Sequence, residues 1–229
     1  MKKILLLTLV MAFLFVTYAD DFQNLLNRGI DEYDITLVKA AILAGADVNL
    51  KDDSGMSPFI RAIQDVKLDN NGKLKLDIVN YFVYELYTTK MKSVYGYSPL
   101  YWLVDAYSLW NAPVLDESDK NLRNPGLTGK ERQRVMNLVK IMVERGADIN
   151  FVSSDYNMSI LMAAVNSRDP QLVNYLLIHG ADPNVATNEG DTALSIANEY
   201  IEMNKEEYQK PILTEFLKIK ELLLKFGAK

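Results

Sequence analysis

This 229-residue chain contains one histidine, His179, and no cysteine. Those two counts remove a large share of side-chain chemistry. Without thiols there is no disulfide, no thiolate nucleophile and no cysteine-ligated zinc, and one imidazole cannot make a multi-histidine metal site. His179 stands at the end of an apolar helical run, where an imidazole donor meets unpaired helix carbonyls. That structural role is preferred here to a general base. "GLTGKE" (Gly126–Glu131) faintly resembles a phosphate-binding loop. It lacks the first glycine at the needed spacing, and Glu131 sits where Ser or Thr would bind magnesium, so that reading is rejected. Asp20–Asp21 and Asp52–Asp53 are not followed by an oxygen-rich loop with calcium spacing; the first pair instead suits the start of the helix "DFQNLLN". The stretch 111–129 and its border offer Asp116, Glu117, Asp119 and Glu131 as acid–base groups. Paired-carboxylate enzymes leave no reliable short motif, so an enzyme or accessory activity using that stretch stays open. Asn157-Met158-Ser159 is a glycosylation sequon, relevant only in a eukaryotic secretory route. No metal or cofactor is expected.

The whole chain narrows the partners. A formal charge of −5 and a pI near 5.0 argue against nucleic acid or an anionic membrane, both of which demand concentrated Lys and Arg. The lysines of "KLKLD" and "KMKS" are therefore read as a solvated face. Apolar content of 49% with 24% charged residues is that of a folded chain rather than a disordered one. At the N-terminus, "MKK" precedes the apolar run Ile4–Val16 and "TYA" precedes "DD". The run fits a signal h-region of roughly 7–15 residues better than a membrane span of about 20. A signal peptide over 1–19, cleaved after Ala19, is expected, with retention as an anchor the alternative. The lysine-led form points to bacterial export, to the periplasm or the extracellular space. Cleavage removes Lys2 and Lys3, leaving 23 basic against 30 acidic residues, or −7.

Such a sparse chemical inventory puts the weight on the elements that repeat. The pentapeptides GADVN (Gly45–Asn49), GADIN (Gly146–Asn150) and GADPN (Gly180–Asn184) each follow an amphipathic run: "ITLVKAAILA", "VMNLVKIMVER" and "LVNYLLIH". About ten residues after each comes a turn and a second short helix: "DSGMSPFIRAI", "DYNMSILMAAV" and "NEGDTALSIA". From Gly146 to Gly180 is 34 residues, and from Asn157 to Gly190 is 33. The spacing predicts a stacked array. Glycine past a helix end supplies a left-handed residue that a Cβ would oppose. Alanine permits close stacking, and the Asp and Asn side chains bond the reversing backbone. Ser57, Ser98, Ser159 and Thr192 are the expected N-caps, with Pro58 and Pro99 in the first turns.

The pattern resembles the ankyrin repeat family, most closely over Arg145–Ala197, "RGADINFVSSDYNMSILMAAVNSRDPQLVNYLLIHGADPNVATNEGDTALSIA". A degenerate repeat is readable where Gly96-Tyr97-Ser98-Pro99-Leu100 matches the family's G-x-T-P-L, although Leu86-Tyr87-Thr88 replaces Gly-Ala-Asp. The resemblance implies an all-α solenoid of about five helix-turn-helix repeats with hairpin fingers and capping units. It spans 20–229, with repeats near 20–52, 53–93, 94–153, 154–187 and 188–229. Three stretches exceed the period: "QDVKLDNNGKLK", "NAPVLDESDKNLRNPGLTGKE" and "NEYIEMNKEEYQKP". All are expected between the two helices of their repeats, along one edge. Aromatics crowd Tyr81–Trp110 and are read mostly as core substitutes. With Trp102 at a leucine position and Leu103 and Val104 replacing alanines, looser or splayed packing is expected there.

The resemblance also implies a function: a non-enzymatic module that binds another protein through a concave face and hairpin tips. The variable family positions fall on Asp53, Ser54, Met56, Gln64 and Asp65 in one repeat, and on Val94, Tyr95, Tyr97, Asp105 and Ala106 in the next. They continue on Asp155, Tyr156, Met158, Asn166 and Ser167, and on Asn188, Glu189, Asp191, Glu199 and Tyr200. The partner-binding set is taken as Met56, Tyr95, Tyr97, Asp105, Tyr156, Met158, Glu189, Asp191 and Tyr200. This face is rich in acid and tyrosine and has no Lys or Arg, which suits a protein partner with basic and apolar surface. An envelope spacer without a dedicated partner is the third class considered. The oligomeric state is left open.

Overall fold

A hydroxyl side chain followed by proline or an apolar run starts four of the first helices. In the computed structural model of the chain, which describes residues 21–67, 69, 73–86, 98–111, 127–204 and 210–229, all four expected caps form. The oxygens of Ser57, Ser98, Ser159 and Thr192 accept from the backbone three residues on, at 3.4, 3.0, 3.2 and 3.2 Å. The expected signal segment, Tyr95, Tyr97 and residues 112–126 of the long insertion lie outside the described residues.

The helices are α1 (21–31), α2 (Ile35–Ala44), α3 (Pro58–Gln64), α4 (Asp77–Tyr81), α5 (Pro99–Trp110), α6 (Gly129–Glu144), α7 (Ile160–Asn166), α8 (Pro170–Ile178), α9 (Ala193–Met203) and α10 (Lys210–Lys225). The regular elements among the described residues are helical, with isolated two-residue bridges in the fingers at Val152–Ser159 and Ala186–Thr192. The expected all-α architecture is the one observed. The chain divides into two compact units, one ending at Leu86 and one beginning at Tyr87.

In the first unit, Leu26, Ile30, Val38, Ala41, Ile60, Ile63, Ile78 and Val79 are closed to solvent. Phe59 stacks on Phe82 at 5.3 Å between ring centres. α4 passes directly into a π-helical turn over Phe82–Leu86. Here the Gly-Ala-Asp stop is replaced by Leu86-Tyr87-Thr88, so the helix lacks its glycine terminator.

In the second unit α5, α7 and α9 are the first helices of successive repeats, with α6, α8 and α10 behind them. Gly146 and Gly180 take φ of 86° and 93°, and Gly45 in the first unit 112°. The aspartate that follows accepts from the asparagine two residues on, at 2.8 Å in GADVN, 3.0 Å in GADIN and 2.8 Å in GADPN. The asparagine carboxamide does more than close its own loop. Asn150 donates to Gly180 O (2.9 Å) and accepts from Asp182 N (2.8 Å) in the next repeat. Asn184 repeats this on Gly227 O (3.1 Å) and Lys229 N (3.0 Å). In the first unit Gln23 accepts from Asp47 N at 3.0 Å, a longer amide filling the same part. Asn150 and Asn184 thereby staple the last three repeats to one another.

Two expectations need correction. Leu103 and Val104 are fully buried and Trp102 is half-buried, with α5 packed along α7. The bulk is absorbed instead of loosening the α7 side, and burying a Leu or Val side chain favours folding by about 1.5–3 kcal/mol. The surplus does lie between first and second helices, yet part of it is helix. α9 runs through "NEYIEM" to Met203, against seven residues in α3 and α7.

Candidate functional site

The fingers are built by short polar side chains that turn the backbone. Asn157 and Gly190 hold equivalent positions with φ of 55° and 94°; asparagine is one of the few non-glycine residues that tolerates this region. Asn157 Nδ2 also donates to Ala186 O at 2.6 Å. Asn188 crosses in the other direction, its backbone N–H donating to Tyr156 O (3.0 Å) and its amide to Asp155 O (2.9 Å). Adjacent fingers are thereby locked side by side. Thr187 Oγ1 accepts from Glu189 N and Asp191 N at 3.3 and 3.0 Å, fixing the outer tip.

Between these fingers and helices α7 and α9 lies an open groove of about 620 Å³. Tyr156, Met158, Ile196, Tyr200 and Met203 give it apolar surface, and Glu189, Asp191 and Glu199 give it negative charge. No lysine or arginine is among the described residues that line it. Tyr156 is 64% exposed at the finger tip. Tyr200 is held from behind by a parallel stack on the buried Phe216, 4.5 Å between ring centres and 6° between planes. A pre-oriented aromatic of this kind loses little side-chain entropy when a partner covers it.

Of the nine residues expected to face a partner, the groove gathers Tyr156, Met158, Glu189, Asp191 and Tyr200. Met56 is in the first unit, half-buried in its finger, with its N–H on Asp52 Oδ1 at 2.9 Å. Asp105 lies on α5, half-buried, and burial pushes its carboxyl above the usual aspartate range. Tyr95 and Tyr97 are outside the described residues. Among the wider set of variable positions, Ala106 and Ser167 face inward. Ser167 is fully buried, donating to Ala164 O at 2.6 Å while its own carbonyl accepts from Asn111 at 2.6 Å. Thr187, Ile196 and Met203 line the groove but were not among the expected residues. Ile196, Tyr200 and Met203 recur at helical spacing, a signal that extending the helix through "SIANEYIEM" would have revealed.

Asp116, Glu117 and Asp119 lie outside the described residues, and the described chemical candidates take structural roles. His179 Nδ1 lies 2.8 Å from Tyr175 O at the end of α8, with its ring 4.0 Å from the tyrosine's. Thr128 caps α6 by accepting from Glu131 N at 3.3 Å, and the buried Glu131 pairs with Arg134 at 2.6 Å, so the end of "GLTGKE" is a helix start. Asp52 accepts from Ser54 and Met56 within its own turn, both at 2.9 Å. Among the described residues no group of three His, Asp or Glu is placed to hold a metal, and no helix is long and apolar enough to cross a membrane.

Residues 131–208 match the family model of ankyrin repeats in three copies. A rice protein described as a probable E3 ubiquitin-protein ligase is 31% identical over 86 residues, which are 37% of this chain and 17% of that protein. A putative ankyrin repeat protein of fowlpox virus is 38% identical over 60 residues, 26% of this chain and 12% of its own length. The chain thus spans under a fifth of either relative.

Proposed function

We propose, from the match of residues 131–208 to the family model of ankyrin repeats, that this chain is a non-enzymatic module holding another protein through the groove of its second unit. Ankyrin repeats in general mediate protein–protein interaction. The observation that carries the reading is the groove's surface: tyrosine and methionine over an open concavity, with three carboxylates and no cation among its described lining. The matching partner presents Lys or Arg beside apolar groups. Its aromatic contacts supply area and its charges speed encounter. The rice relative's name describes that protein's activity, and no ligase chemistry is transferred to this chain.

The same reading places the mature protein outside the cytoplasm, beginning at Asp20, in the periplasm or the extracellular space of a bacterium. Support comes from the order of basic, apolar and small-residue regions over 1–19. N-terminal sequencing from the native host tests it: Asp20 is expected, and Met1 on membrane-bound protein would overturn it. Binding is tested with the partner isolated by tagged mature protein. Tyr156→Ala should weaken that complex by about 5- to 30-fold, chiefly through faster dissociation. Glu189→Gln should slow association and flatten its salt dependence. A complex insensitive to both would sink the groove as the binding site.

A further inference from the structure

The caps Ser98, Ser159 and Thr192 set a common register for α5, α7 and α9. Seven residues past each cap stand Asp105, Asn166 and Glu199, and eleven past the outer two stand Leu109 and Met203. Asn166, Glu199 and Met203 line the groove. Their counterparts on α5 continue the same surface one repeat further. Leu109 is 71% exposed and Met203 61%, at equivalent positions on helices longer by four residues or more than the α7 between them. Asp105 is the unusual member of the row. It is half-buried, and among the described residues its carboxylate has no hydrogen bond or ion pair. A desolvated, unpaired carboxylate destabilises the free protein. A cation brought by a partner would remove that cost.

Resting on the reading above, we infer that the binding surface extends from the groove onto α5, and that it takes one extended segment carrying two cations, one at Glu199 and one at Asp105. Packed helices stand about 8–10 Å apart, so two spacings separate these carboxylates by about 16–20 Å. An extended chain advances about 3.3 Å per residue, which sets the two cations about five or six residues apart. Along its length the segment offers apolar side chains to Tyr200, Ile196 and the overhanging Met203 on α9 and to the overhanging Leu109 on α5. The chemistry is that of a basic–apolar–basic peptide, not of a uniformly cationic one.

Synthetic twelve-residue peptides with a Leu-Phe-Leu centre test this by fluorescence anisotropy on the mature protein. They carry one lysine, or two lysines three, six or nine residues apart, or two glutamates six apart. The six-residue pair should bind at least five-fold tighter than the single-lysine peptide, and Asp105→Asn should erase that increment while raising the thermal midpoint of the free protein. Tyr156→Ala should weaken every lysine peptide. If it does so while spacing and Asp105→Asn make no difference, the groove stands and the extension to α5 falls. If no lysine peptide binds better than the glutamate one, both fall.

Discussion

Replacing Asn150 by alanine removes a side chain that is exposed and yet joins two repeats. Two hydrogen bonds are lost, the donation to Gly180 O at 2.9 Å and the acceptance from Asp182 N at 2.8 Å. The bond from Asn150 N to Asp148 survives, because it uses the backbone. Each lost bond contributes a net of roughly 0.5–1.5 kcal/mol. Water reaches both orphaned groups, so no buried desolvation penalty is added, and the total is about 1–3 kcal/mol. For a chain of this size that lowers the thermal midpoint by about 2–12 °C. Position matters more than size. Because repeats touch only their neighbours, the damage should appear first as faster exchange at the amides of Ala181 and Asp182 and along α8. Asn184→Ala makes a graded comparison: its bonds to Gly227 O and Lys229 N are longer, at 3.1 and 3.0 Å, and its effect should stay within the residues that follow α10. Hydrogen exchange followed by mass spectrometry reads both variants. Unchanged exchange at Asp182, with stability within about 0.5 kcal/mol of the parent, would refute the stapling role.

Gly180 has φ of 93° and open space where a Cβ would go, so Gly180→Val should cost about 1–2 kcal/mol from backbone strain alone, and Gly180→Asn clearly less; equal losses in chemical denaturation would contradict this. Tyr107→Phe removes the 2.5 Å bond to the buried Asp169 and should cost about 1–3 kcal/mol, read as a shifted urea midpoint. Burial, with Asp169 beside it, holds the Tyr107 hydroxyl far above the usual phenol range, so its phenolate absorbance should appear only on unfolding. Asp105 has its carboxyl raised by burial, so the stability of its neutral form is complete below the ordinary aspartate value and is lost as pH rises through the folded one. Asp105→Asn should therefore raise the thermal midpoint near neutrality and have little effect near pH 3.

Short-range chemistry was legible in the residues. A hydroxyl before Pro58 or Pro99 and a glycine after an apolar run are decisions taken within four residues, and Ser57, Ser98, Ser159, Thr192, Gly45, Gly146 and Gly180 all behave as their types require. His179 reads as a helix-end donor because its partner, Tyr175, is one turn away. Burial late in the first helices was not legible. Ala106 and Ser167 occupy variable positions, yet Ser167 is enclosed because Asn111, 56 residues earlier, donates to its carbonyl. Tyr107 looked like one more aromatic in a crowded stretch; its partner Asp169 is 62 residues distant. The long α9 was missed for another reason. "NEYIEM" reads as surplus against a 33-residue period, whereas its apolar spacing favours continuing the helix and brings Met203 to the groove. The missing glycine at Leu86 was legible, but not the π-helical form the helix takes there.

The proposed protein partner sits between the second-unit fingers and α9. Photo-crosslinking tests it most directly. A benzophenone side chain at Glu189, on the groove's rim, should yield one dominant adduct with the isolated partner, suppressed by excess unlabelled protein. The same probe at Lys218, exposed on α10 behind the array, should yield none. Equal adducts from both positions, or an adduct from Lys218 alone, would contradict the claim.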